Sequence, residues 1–173
     1  EIPADDPKTY EMIRKADTVG TFQIESRAQM AFLPKHQPRH FYDLVVQVAI
    51  IRPGPIQGGM VHPYLRRRAG EEPVTFPDPR LIPILKRTFG VPIFQEQVMR
   101  VAMAVGGFTP GEADELRKSI GAFTMKPEKA QATIDRLEQG MRREGIGEEF
   151  ISGVIGHIHG FASYGFPESH EAS

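Results

Sequence analysis

Positive charge is where this sequence offers chemistry. Between Arg52 and Arg68 stand four arginines, one histidine and no acid, a basic zone with a Pro53-Gly54-Pro55 turn inside it that suits a polyanion. Arg66, Arg67 and Arg68 are adjacent, so on a helix they point around the axis rather than one way, and a solvated face competes with backbone binding as their role. Arg52 is the better placed, on a corner stiffened by proline. Arg117 and Lys118 form a second basic pair. Asp114 precedes them by three and four residues, so an intrahelical ion pair is the simplest account of that spacing.

Other chemistries fail on residue type or spacing. Gly106 to Gly111 mimics a phosphate-binding loop, yet Glu112-Ala113 stands where Lys-Ser/Thr would have to neutralise phosphate and hold magnesium. His157 and His159 fall on different faces of a helix, with no ligand pattern beside them, and read as structural. Ser169-His170 sets a hydroxyl beside an imidazole, but no glycine-framed elbow surrounds it, so a hydrolase triad is not expected. Gln95 and Gln97 could line a ligand site, with a polar helix start as the simpler reading. No Asp-x-Asp pair lies in an apolar strand, so two-metal chemistry lacks its ligands. The residues themselves supply no catalytic group and no metal site.

These side chains must be positioned by an ordinary globular chain of 173 residues, 40% apolar and 25% charged, the size of one domain. The net charge of −1 creates no overall field for nucleic acid. The absence of cysteine removes disulfides, thiolate metal sites and thiol nucleophiles, and suits a reducing, cytoplasmic location. No apolar run approaches the roughly 20 residues of a membrane helix, so no membrane partner is expected. The 17 glycines and 15 prolines fall mostly at segment edges, a pattern of many short helices. Glu1 is not a start methionine and the last residues end in a Gly/Ser/Pro-punctuated stretch, so a fragment of a longer chain is expected.

Local signals divide the chain into helices. Asp6 as N-cap and Pro7 open the first, to Ala16, with Tyr10, Met12 and Ile13 as its apolar contacts. Thr18 to Ile24 alternates like a short strand feeding a helix from Glu25 to Leu33 that Pro34 stops. Phe41 to Ile51 is almost unbroken apolar sequence and reads as the central core helix, ended by Arg52-Pro53-Gly54-Pro55. Helices are expected over Gln57 to Ala69, Leu81 to Thr88 and Phe94 to Val105, the last with Val98, Val101, Ala102 and Val105 on one face. Thr109-Pro110-Gly111-Glu112 is a capping box. Pro127 to Arg143, with Ala130, Ile134, Leu137 and Met141 aligned, and Glu148 to His159 complete a mainly α fold with at most one or two short strands.

In order along the chain, Gly20-Thr21-Phe22-Gln23-Ile24-Glu25-Ser26-Arg27, Ile51-Arg52-Pro53-Gly54-Pro55, Phe94-Gln95-Glu96-Gln97 and Tyr164-Gly165-Phe166-Pro167-Glu168-Ser169-His170 resemble the bacterial C-family DNA polymerases, the DNA polymerase III alpha subunit family. Val61-His62-Pro63-Tyr64-Leu65-Arg66-Arg67-Arg68 and Phe108 to Asp114 look like its error-prone branch. The resemblance runs over nearly the whole chain. It implies the fingers region of a template-directed DNA polymerase: a lead-in from the palm over 1–24, helical fingers over 25–160, and the start of a following segment over 161–173.

In that family the catalytic aspartates that hold two Mg2+ ions lie upstream in the palm, so this segment alone is expected to be inactive and to bind no metal. By the same resemblance Arg52, Arg117, Lys118 and His170 approach the nucleotide and its phosphates. Gln95, Gln97 and Ser169 line the active site, and Arg66, Arg67 and Arg68 touch DNA backbone. Lys118 stands where an arginine is common, and Glu171 where a small residue is usual. The implied partners are template-primer DNA, dNTP, the palm of the same polypeptide, and a sliding clamp or repair accessory proteins. The rival from the residues alone is a non-catalytic helical module gripping nucleic-acid backbone or a protein.

Overall fold

A computed structural model describes residues 5–51, 58–123 and 125–163, apart from the side chains of 58–62 and 161–163. The described residues form nine α-helices and two 3-10 turns, with no strand among them. The chain divides into two compact units, with the second beginning at Gln57.

The first unit holds α1 (Pro7–Arg14), α2 (Arg27–His36) and α3 (Phe41–Ile50). Helix α1 starts as expected, since Asp6 accepts from the Thr9 amide at 2.8 Å. It buries Tyr10 and Ile13, whereas Met12 is 36% exposed, contrary to its expected role as a contact. Met12 directly precedes Ile13, and neighbouring residues on a helix cannot share one face. Thr18 to Ile24 is a pair of turns rather than a strand. The Thr18 hydroxyl donates to the Ile24 carbonyl at 2.6 Å, and Gly20 and Gln23 take φ of +83° and +66°, values that extended backbone does not allow.

Helix α2 begins after Ser26, which accepts from Gln29, and runs through Pro34 to His36. Pro34 lies in the last turn, where its missing donor affects only one helical bond. The stop falls at Gln37, left-handed at φ +51°, whose amide donates to the Leu33 carbonyl at 2.9 Å. Helix α3 begins where Asp43 accepts from the Arg39 and His40 amides at 2.7 and 3.3 Å. It is not the centre of the largest apolar core. Phe41 is 56% exposed, and Asp43 and Gln47 are among its buried residues.

A line of hydrogen bonds runs between α2 and α3 with one direction throughout. His36 Nδ1 lies 2.7 Å from Gln47 Oε1, the Gln47 amide donates to Gln29 Oε1 at 2.9 Å, and the Gln29 amide donates to the Ile51 carbonyl at 3.2 Å. All three side chains are buried. Buried amides that were not so paired would each lose a hydrogen bond to water without replacement.

The second unit carries α4 (Gly58–Ala69), the short α5 (Ile82–Leu85) between two 3-10 turns, α6 (Gln95–Val105), α7 (Pro110–Gly121), α8 (Pro127–Arg143) and α9 (Glu148–Ser163). The largest described core cluster lies here. Val98, Val101, Ala102 and Val105 of α6 meet Leu116 and Ile120 of α7, Ile134, Leu137 and Met141 of α8, and Ile151, Val154 and Ile158 of α9. These positions recur at three- and four-residue intervals, as a buried helix stripe requires. Gly140 lets α8 pass directly over the Gly106 carbonyl, where a Cβ would collide with backbone. Helix α9 continues past the expected end at His159, through Gly160, to Ser163; one glycine costs a helix only about 1 kcal/mol and does not by itself end it.

Candidate anion-binding site

Helix α7 is set by its own first turn. The Thr109 hydroxyl accepts from the Glu112 amide at 3.3 Å, and Glu112 accepts in return from the Thr109 amide at 2.7 Å, the reciprocal bonds of a capping box. The Thr109 amide first, and the Thr109 hydroxyl donating to the same carboxylate at 3.0 Å second, hold the Glu112 carboxyl below its ordinary range. Glu112 also lies 3.4 Å from Arg136 of α8, whose guanidinium sits 4.7 Å from the centre of the Phe108 ring. Ala113, Leu116 and Ile120 then bury the inner face of α7.

The exposed flank beside it carries Asp114, Arg117 and Lys118, which spacings of three and four set within reach of one another. Asp114 Oδ1 accepts from Arg117 Nε and Nη2 at 3.1 and 2.8 Å, and its Oδ2 lies 2.6 Å from Lys118 Nζ. The Arg117 and Lys118 side chains are 53% and 68% exposed. The Lys118 hydrogen bond first, and Arg117 second, hold the Asp114 carboxyl below its ordinary range. An ammonium has three donors and a guanidinium five, so both cations keep donors that an incoming anion can use.

Arg66 and Arg67 also share one acid. Glu72 takes Arg66 Nε on one oxygen at 2.8 Å and Arg67 Nε on the other at 2.9 Å. Arg67 also donates to the Phe89 carbonyl at 3.1 Å, with its side chain only 15% exposed. It thus clasps the end of α4 to the turn at Phe89-Gly90. The role of Glu72 had no signal in the sequence, because it lies five and six residues beyond its partners and off any helical register. Gly70 at φ +77° makes the reversal that brings it back.

Gln97 faces inward. Its Oε1 accepts from the Ile93 and Phe94 amides at 2.8 and 3.0 Å, and its Nε2 donates to the Ile84 carbonyl and the Thr88 hydroxyl at 3.2 and 2.9 Å. This amide caps α6 and ties it to α5, which is the polar-helix-start role rather than a ligand-facing one. Gln95 is half-buried in the first turn of α6. Arg52, Ser169 and His170, with Glu171, lie outside the described residues. Of the expected phosphate ligands, the structure brings Arg117 and Lys118 together on one exposed face.

Among the described residues no group of three or more His, Asp or Glu side chains could hold a metal ion. No described helix is long and apolar enough to cross a membrane.

Comparison with known proteins adds to this geometry. Residues 1–145 match the family model described as the bacterial DNA polymerase III alpha subunit finger domain. The chain is 58% identical over 176 residues to an error-prone DNA polymerase of Pseudomonas fluorescens, covering 99% of this chain and 16% of that protein. It is 60% identical over 172 residues to error-prone DNA polymerase 2 of Rhizobium meliloti, with the same two coverages. It is 61% identical over 173 residues to error-prone DNA polymerase 3 of Agrobacterium fabrum, covering 100% of this chain and 16% of that protein. The chain therefore spans about one sixth of the length of the relatives it matches.

Proposed function

Because the chain belongs to the finger-domain family of the bacterial DNA polymerase III alpha subunit, we propose that it forms the fingers of an error-prone, template-directed DNA polymerase, in which Arg117 and Lys118 receive the triphosphate of the incoming dNTP. The observation that carries this reading is the pair itself: two cations on one exposed face of a helix whose other face is anchored in the core. Nucleotidyl transfer requires the 3′-hydroxyl to align with the α-phosphate and the triphosphate charge to be neutralised. Fixed cations meet the second requirement with little reorganisation at the moment of reaction.

Lys118 contributes a point charge on a flexible stem, without the two-pronged geometry an arginine would give. Arg52 and His170 join this reading through their motifs, as further groups approaching the nucleotide. The aspartates that bind Mg2+ belong, on this reading, to the palm of the same polypeptide. Template-primer DNA is the second substrate. Translesion and repair synthesis in the cytoplasm is the setting, with a sliding clamp or repair accessory proteins as further partners.

The test is Arg117→Ala with Lys118→Ala in the full-length polymerase. We expect kcat/KM for a template-matched dNTP to fall on the order of 100-fold, comparable to the loss of other preorganised charge donors. Unchanged incorporation would reject the assignment. A module that merely grips DNA backbone would instead respond to salt and not to nucleotide identity.

A further inference from the structure

We propose that Asp114 sets the affinity of this site, gathering Arg117 and Lys118 when no nucleotide is bound and competing with the triphosphate for them; the inference rests on reading those cations as triphosphate ligands. Each carboxylate oxygen engages a different cation, Oδ1 the guanidinium at 2.8 and 3.1 Å and Oδ2 the ammonium at 2.6 Å. Two non-bridging phosphate oxygens would make the same division. The carboxylate therefore occupies the position an anion must take, and holds two flexible side chains near the geometry that anion needs.

The exchange is physically easy. Asp114 is 44% exposed alongside its two partners, so a phosphate reaches them from solvent without displacing the buried Ala113, Leu116 and Ile120 that anchor α7. Exposed ion pairs are weak and screened by salt, and a single carboxylate yields to a polyanion carrying several charges. The acid nevertheless offsets one of the two positive charges, so it lowers affinity for every triphosphate in the same measure. Such a change acts on bound substrate and transition state alike, and shifts KM without raising kcat.

Asp114→Asn in the full-length polymerase keeps the shape and one acceptor while deleting the charge. The KM for a template-matched dNTP should fall about three- to tenfold with no rise in kcat, and inorganic tripolyphosphate should inhibit at correspondingly lower concentration. Asp114→Glu, which restores the charge, should return KM to within about twofold of the parent. In the Arg117→Ala, Lys118→Ala background, Asp114→Asn should have no effect on KM. A purely structural ion pair would change the thermal midpoint and leave KM and tripolyphosphate inhibition where they were. If Asp114→Asn leaves KM unchanged or raises it while the double alanine variant impairs dNTP use, the inference is overturned and the parent reading stands. If the double alanine variant is itself without effect, the parent reading is the one that fails, and this inference goes with it.

Discussion

Two buried layers in this chain are built on opposite terms. Between α2 and α3 the buried side chains include Gln29, His36 and Gln47, joined in one directed line that ends on the Ile51 carbonyl. Around α6 the packed layer is Val98, Val101, Ala102 and Val105 against Leu137, Met141 and Ile158, and the buried polar pair Gln97 and Thr88 joins the first turn of α6 to the 3-10 turn after α5. Apolar contacts stabilise through area and tolerate small adjustments of register. A hydrogen-bonded line adds little net stability while it is intact, yet penalises any arrangement that breaks one link. The polar layer therefore specifies how α2, α3 and Ile51 are set, and the apolar layer supplies most of the cohesion between α7, which carries Arg117 and Lys118, and the helices packed on it.

The sharpest break should come from the apolar side. Gly140→Ala places a methyl group against the Gly106 backbone carbonyl, forcing α8 away from the end of α6. We expect a loss of about 3 kcal/mol, at the upper end for overpacked sites, read as faster amide exchange across α6 and α8 in the full-length enzyme. The same exchange across α2 and α3 should stay unchanged if the two layers are energetically separate.

Gln29→Leu tests the polar side. It removes the side-chain donor to the Ile51 carbonyl and the side-chain acceptor of the Gln47 amide, at a cost of ~1–3 kcal/mol. Replacing Gln29, Gln47 and His36 together by apolar residues should recover much of that stability, because fewer polar groups are then left stranded. Urea unfolding followed by exchange at α2 and α3 separates the two variants. Equal losses in both would mean that the line contributes through packing and not through its hydrogen bonds.

The smallest effect is expected at the surface of the second unit. Hydrogen bonds from Arg80, side chain first and backbone second, bring the Asp78 carboxyl down to about 2, and Arg80 also reaches Glu144 beyond the end of α8 at 2.7 Å. A carboxyl whose folded value is depressed stabilises the fold above its unfolded value and loses that contribution as pH falls through the folded value. A slight decline in stability between about pH 4 and pH 2 is expected, and Asp78→Asn should flatten that part of the profile in thermal melts.

How much of this was legible beforehand depended on how far each bond reaches along the chain. Caps and stripes close within four residues, so Asp6, Thr109, the stripe of Pro127–Arg143 and the mainly helical class followed from neighbouring residues alone, as did the family motifs. The i, i+3 and i, i+4 relation of Asp114 to Arg117 and Lys118 belongs to the same group, because any helix through these positions creates it. Tertiary structure decided the rest. Glu72 reaches back to Arg66 and Arg67 across the Gly70 turn, Gln97 turns inward to Ile84 and Thr88, and Gln47 meets a partner 18 residues away. The path of α2 through Pro34 and the turns at Thr18 to Ile24 were likewise settled there. Local spacing says which groups face the same way, but only the folded chain determines which distant donor finds an acceptor out of water, and so which cations remain exposed to an outside anion.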